Sequence, residues 1–90
     1  MTKKGKKGEV TFVFEGGPVK SVYVAGDFNM WDPKANKMVK SKDGSYRAKV
    51  NLDPGEHQYK FVADGTWVED SEAEKVVMNN FGTANSVVEV

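Results

Sequence analysis

Cysteine is missing from all 90 residues, which excludes disulfide staples, thiolate metal sites and a cysteine nucleophile together. On that account the chain suits a reducing compartment, the cytoplasm. No apolar run approaches the ~18 residues that a membrane-spanning helix needs, and no signal-type hydrophobic segment follows the N-terminal lysines. Histidine occurs once, as His57, and a single imidazole between Glu56 and Gln58 lacks the partners of a general base or a metal site. The Gly-x-Ser-x-Gly elbow, the His-Glu-x-x-His motif and the phosphate-binding glycine loop are also missing. Acidic residues number 13, yet nothing in their spacing sets two of them across a cleft. The acidic run at residues 69–74 lacks the glycine-punctuated spacing of a calcium loop and reads as a solvated segment. No catalysis, cofactor or metal is expected.

The chain is also too short to divide into two cores. Its formal charge is zero, but four lysines stand at positions 3, 4, 6 and 7. Residues 1–8 therefore read as a disordered basic tail and residues 9–90 as the folded domain. Beyond the tail lysines, 9 basic residues face 13 acidic ones over residues 8–90, a net of −4. A body of that sign is poorly matched to a phosphate backbone, so neither nucleic acid nor a membrane is expected as a partner.

What the sequence does contain is strand after strand. Val10, Phe12 and Phe14 alternate with Thr11, Val13 and Glu15, the period of an extended chain with two faces. Val22 and Val24 continue the pattern. Tyr46, Ala48, Val50 and Leu52 alternate with Arg47, Lys49 and Asn51, and His57, Tyr59, Phe61 and Ala63 oppose Gln58, Lys60, Val62 and Asp64. Turn signals divide these runs: Gly16-Gly17-Pro18, Asp43-Gly44 and Asp53-Pro54-Gly55. Asp64-Gly65 reads as a tight hairpin turn returning through Thr66, Trp67 and Val68. Lys75 to Met78 and Ser86 to Val90 supply the last two strands. No segment sustains a helical period. About seven short strands with Gly, Pro and Asp turns predict an all-β, immunoglobulin-like antiparallel β-sandwich.

The two tryptophans fall at turn edges rather than in mid-strand. Trp31 follows Phe28-Asn29-Met30, and Trp67 follows the Asp64-Gly65 turn. An exposed indole offers a flat apolar face with an N–H at its rim, which suits the C–H face of a glucopyranose ring. Taken alone, the two positions fit partial burial at a loop edge equally well.

Four ordered segments resolve the choice: Gly26-Asp27-Phe28-Asn29-Met30-Trp31, Gly55-Glu56-His57-Gln58-Tyr59-Lys60-Phe61, Asp64-Gly65-Thr66-Trp67 and Phe81-Gly82-Thr83-Ala84-Asn85. Together they resemble carbohydrate-binding module family 48, which includes the glycogen-binding domains of AMP-activated protein kinase β subunits. The early-set domains of isoamylases and branching enzymes are similar too. The resemblance runs from about residue 9 to residue 90. It implies non-catalytic binding of α-1,4-glucans such as glycogen, starch and malto-oligosaccharides. By that resemblance Trp31 and Trp67 stack on sugar rings and Lys60 donates to hydroxyls, with Thr83 and Asn85 as further polar partners. Phe81 stands where the kinase domains carry a leucine. Strand parity agrees, since Lys60 points away from Tyr59 and Phe61.

Burying roughly 100 Å² of sugar-facing apolar surface per tryptophan gives about 2.5 kcal/mol each. After the entropic cost of association, an affinity between about 1 µM and 1 mM follows. Three rival roles have to be weighed. One is a protein-interaction module docking a kinase or glucan-active enzyme. Another is an early-set piece of a larger glycoside hydrolase-type enzyme, which the leading Met1 and polar tail disfavour. The third, base stacking on Trp31 and Trp67, is disfavoured by the acidic body.

Overall fold

The computed structural model describes residues 2–5, 8–15, 19–79 and 82–90. Its strands run β1 (Thr2–Lys4), β2 (Glu9–Phe14), β3 (Val22–Gly26), β4 (Asn36–Lys37), β5 (Val39–Lys40), β6 (Tyr46–Asn51), β7 (Glu56–Ala63), β8 (Thr66–Val68), β9 (Lys75–Met78) and β10 (Ala84–Glu89). Every pairing is antiparallel. One sheet has the order β1-β2-β6-β5, and the other β4-β3-β7-β10-β9 with β8 added to β7.

The strands read from alternation all form, and their inward faces make the core. Val10, Phe12 and Phe14 of β2 meet Tyr59, Phe61 and Ala63 of β7, with Val22, Val24 and Val88 beside them. Rings from the two sheets meet edge to face, Phe12 with Tyr59 at 4.8 Å and Phe14 with Phe61 at 5.3 Å. Each fully buried aromatic or large aliphatic side chain contributes about 1.5–3 kcal/mol. That burial fixes the register, because a slip of one residue would turn Lys60 into the core and Phe61 out of it.

Two expectations are corrected. Residues 2–4, read as part of a disordered tail, form β1, with Lys3 opposite Thr11 and Lys4 opposite Val10. A strand ladder is made by backbone groups, so a free sheet edge accepts a segment whatever its side-chain charge. Met1, Lys6 and Lys7 of that tail lie outside the described residues. Within residues 69–74, Asp70 is buried rather than solvated. Tyr59 Oη donates to Asp70 Oδ2 at 2.6 Å, and the Asp70 N–H donates to Ser86 Oγ at 3.0 Å. Burial and that carboxylate both hold the Tyr59 phenol in its protonated form, its pKa raised well above the ordinary value.

Strand β7 organises the functional face. Along one edge it pairs with β3 through Val22↔Ala63 to Gly26↔Tyr59. Its other edge is divided: β10 pairs from Glu56 to Tyr59, and β8 pairs from Phe61 to Ala63. Lys60 sits between those two stretches. Opposed residues in an antiparallel pair share a face, so Trp67 opposite Val62 lies on the same outer side as Lys60 and Gln58. Val87 opposite Gln58 puts its alternation mate Asn85 on that side as well.

Candidate carbohydrate-binding site

Trp31 is presented by a loop that the sequence of residues 26–31 closes on itself. Gly26 lets the chain pass close to β7, because a Cβ there would strike the Phe28 ring and the Gln58 carbonyl. Asn29 then commits its amide oxygen and both amide protons to the loop. Its Oδ1 accepts from Gly26 N at 3.0 Å, while Nδ2 donates to Val24 O at 3.0 Å and to Asn36 Oδ1 at 2.7 Å. Met30 and Trp31 both adopt left-handed backbone, at φ 59° and 57°, a conformation costing roughly 1–2 kcal/mol per non-glycine residue. The Trp31 N–H donates to Gly26 O at 2.8 Å and holds that conformation. Strain of this kind persists where surrounding contacts over-determine it and a side chain has to be aimed.

Asp27 ties the loop to β7. The Asp27 N–H donates to Gln58 O, and Gln58 N–H donates back to Asp27 Oδ2, both at 3.0 Å. His57 completes the joint from the inward side of β7. Its Nδ1 lies 3.1 Å from Asp27 Oδ1 and its Nε2 2.8 Å from the Asp53 carbonyl. Burial alone would depress the imidazole pKa. The hydrogen bonds to Asp53 and Asp27 and the negative charges of both residues outweigh it, so the value is raised. His57 is thus a structural clamp under the Trp31 loop and does not face the tryptophans.

Trp67 arrives by a different route. Asp64 and Gly65 take φ 49° and 82°, two successive positive values that fit the twist of a two-residue hairpin. Asp64 Oδ1 accepts from Lys20 N at 2.9 Å and Ser21 N at 3.0 Å, pinning the turn to the chain before β3. The returning strand leaves the Trp67 indole 45% exposed. Trp67 stands outside the buried core cluster.

Both tryptophans line one open concavity of about 500 Å³. It brings together five of the six residues expected from the resemblance: Trp31, Lys60, Trp67, Thr83 and Asn85. Phe81, the sixth, lies outside the described residues. Two more residues line the concavity that were not picked out, Gln58 and Asn79. Gln58 shares the parity of Lys60 on β7, a signal that was available. Asn79 is brought in by its backbone bond to Thr83, in which Asn79 N donates to Thr83 O at 2.8 Å.

The polar residues of the concavity form one connected set. Lys60 Nζ donates to Thr83 Oγ1 at 3.0 Å, and Asn79 Nδ2 donates to the same oxygen at 2.7 Å. Asn79 Nδ2 also donates to Asn85 Oδ1 at 3.1 Å, and Asn85 Nδ2 donates to Gln58 Oε1 at 2.9 Å. Lys60 is only 9% exposed and Asn85 8%, so both are held in one geometry. Two apolar platforms flanking a fixed row of hydrogen-bonding groups can take a polyhydroxylated ring and distinguish the positions of its oxygens. Among the described residues, no three His, Asp or Glu side chains gather as a metal cradle.

The family described as the glycogen recognition site of AMP-activated protein kinase matches residues 9–90. The human 5'-AMP-activated protein kinase subunit beta-2 is 43% identical over 76 residues, which is 84% of this chain and 26% of that subunit. The mouse beta-2 subunit gives the same figures of 43%, 84% and 26%. The pig beta-1 subunit is 38% identical over 79 residues, 88% of this chain and 61% of its relative. The chain thus spans about a quarter of the beta-2 subunits it matches.

Proposed function

Because this chain belongs to the family of glycogen recognition domains of AMP-activated protein kinase, we propose that it binds α-1,4-glucan chains without catalysis in the concavity lined by Trp31 and Trp67. The supporting observation is the meeting of two indoles from separate elements over one row of polar side chains. Trp31 and Trp67 stack on successive glucose rings. Lys60, Thr83 and Asn85 engage the hydroxyls, and Phe81 belongs to the proposed site through the family resemblance alone. Each stack is worth about 2.5 kcal/mol, and association entropy returns several kcal/mol, leaving an affinity between about 1 µM and 1 mM.

The relatives are, by their printed names, subunits of a protein kinase. A second role, docking to a kinase or to a glucan-active enzyme, belongs to the same proposal. So does a cytoplasmic location, consistent with a cysteine-free chain. No helix among the described residues is long and apolar enough to cross a membrane. Electrophoresis through gels with and without glycogen tests the glucan role, since a binding domain is retarded only where glycogen is present. Equal mobility in both gels contradicts it.

A further inference from the structure

The concavity contains an amide whose orientation the backbone dictates. The Thr83 N–H donates to Asn79 Oδ1 at 3.2 Å. An N–H requires an acceptor, so the oxygen of the Asn79 amide has to face it and the nitrogen has to face the other way. The Asn79 Nδ2 group then spends its two protons on Thr83 Oγ1 at 2.7 Å and Asn85 Oδ1 at 3.1 Å. Both consequences propagate. With its oxygen committed to Asn79, Asn85 turns its Nδ2 to Gln58 Oε1 at 2.9 Å, so Gln58 directs its own NH₂ away from Asn85. Thr83 Oγ1 receives a second donor from Lys60 Nζ at 3.0 Å. With both lone pairs occupied, the hydroxyl has only its proton left to offer.

We infer that Asn79 is a positioning residue that sets the polarity of the whole glucan site, making its outward polar groups hydrogen-bond donors. The Lys60 ammonium, the Thr83 hydroxyl, the second Asn85 N–H and the Gln58 NH₂ all present protons. Glucose hydroxyls at these positions therefore act as acceptors. A row of like polarity discriminates by leaving a buried polar group unpaired when the ligand oxygen is displaced or missing. Asn79 touches no sugar in this scheme, because its amide is occupied by the protein. It acts through Thr83, Asn85 and Gln58.

This deepens the α-glucan site proposed above and presupposes it. The direct test compares Asn79→Asp and Asn79→Ala with the wild type. The first substitution nearly preserves shape but replaces the NH₂ by an acceptor. It draws the Thr83 proton inward and forces the Asn85 and Gln58 amides to reverse. Calorimetric titration with maltoheptaose should show at least a tenfold loss for N79D and a severalfold loss for N79A, with melting temperatures close to wild type. Side-chain amide NOEs should show the Asn85 NH₂ beside Gln58 in the wild type and beside residue 79 in N79D. Affinities within twofold of wild type in both variants would overturn the inference. So would a loss of affinity in N79D with the Asn85 and Gln58 amides unmoved, which is the signature of a merely structural role. If N79D fails to fold, N79A decides: its inference requires weaker binding at unchanged melting. A wild type that does not bind maltoheptaose refutes the α-glucan site itself, while the NOEs still report whether the relay exists.

Discussion

In the proposed site, Trp67 and Lys60 would carry two separable physical contributions to binding. The Trp67 ring is exposed, so Trp67→Ala removes ligand contact without opening a core cavity. Affinity for maltoheptaose should fall by about 2 kcal/mol or more, well over tenfold. The melting temperature should shift by less than about 4 °C, the scale of a change under 1 kcal/mol. A collapsed melt would instead make Trp67 a core residue. Lys60→Ala should weaken binding by about 1–2 kcal/mol, as for a hydrogen bond from a charged donor. Raising salt should leave wild-type affinity nearly constant, because the ligand carries no charge. A steep salt slope would point to an anionic ligand instead.

At the scale of elements, the loop at residues 26–31 carries strain that Asn29 offsets. Asn29→Ala leaves the Gly26 N–H and the Val24 carbonyl without their side-chain partner, at about 1–3 kcal/mol for each such buried group. Both stability and maltoheptaose affinity should fall, in contrast to Trp67→Ala, where only affinity does. Calorimetry and thermal melting on one sample distinguish the patterns. Beneath the same loop, His57 links Asp27 to the Asp53 turn. Both ring nitrogens face acceptors, so only the imidazolium satisfies both. Because the folded pKa is raised above the unfolded value near 6.5, its stabilisation is complete below about pH 6.5. That stabilisation is lost as pH rises through the folded value. The gap in melting temperature between wild type and His57→Gln should therefore be larger at pH 5.5 than at pH 8.5. An equal gap at both pH values would contradict the clamp.

Across the whole molecule, what could be read in the sequence was whatever repeats along the chain. The period-2 runs of β2, β6 and β7 announced both strand type and inward face, and with them the outward direction of Lys60. Strands β4 and β5 have two residues each, and two residues have no period to read. Asp70 sat in an acidic run that reads as solvated. Its partners Tyr59 and Ser86 lie 11 and 16 residues away, so only the tertiary fold reveals its burial. Asn79 belongs with Asp70, because its side-chain bonds to Thr83 and Asn85 exist only in the folded chain. The tryptophans were visible as turn-edge residues, but their convergence on one concavity depends on β8 pairing with β7 and on Asp27 tying the loop after β3 to the same strand.

That convergence makes the central claim specific about ligand shape. Trp31 and Trp67 reach the concavity from separate elements, a pair of platforms suited to a chain that turns between successive sugars, as α-1,4-linked glucose does. On the proposed site, a flat β-1,4-linked chain would reach one platform and miss the other, forfeiting about 2.5 kcal/mol. The most direct measurement is a pair of calorimetric titrations of the wild-type domain, one with maltoheptaose and one with cellohexaose. Maltoheptaose should bind at least ten times more tightly; equal affinity for the two chains would contradict the account.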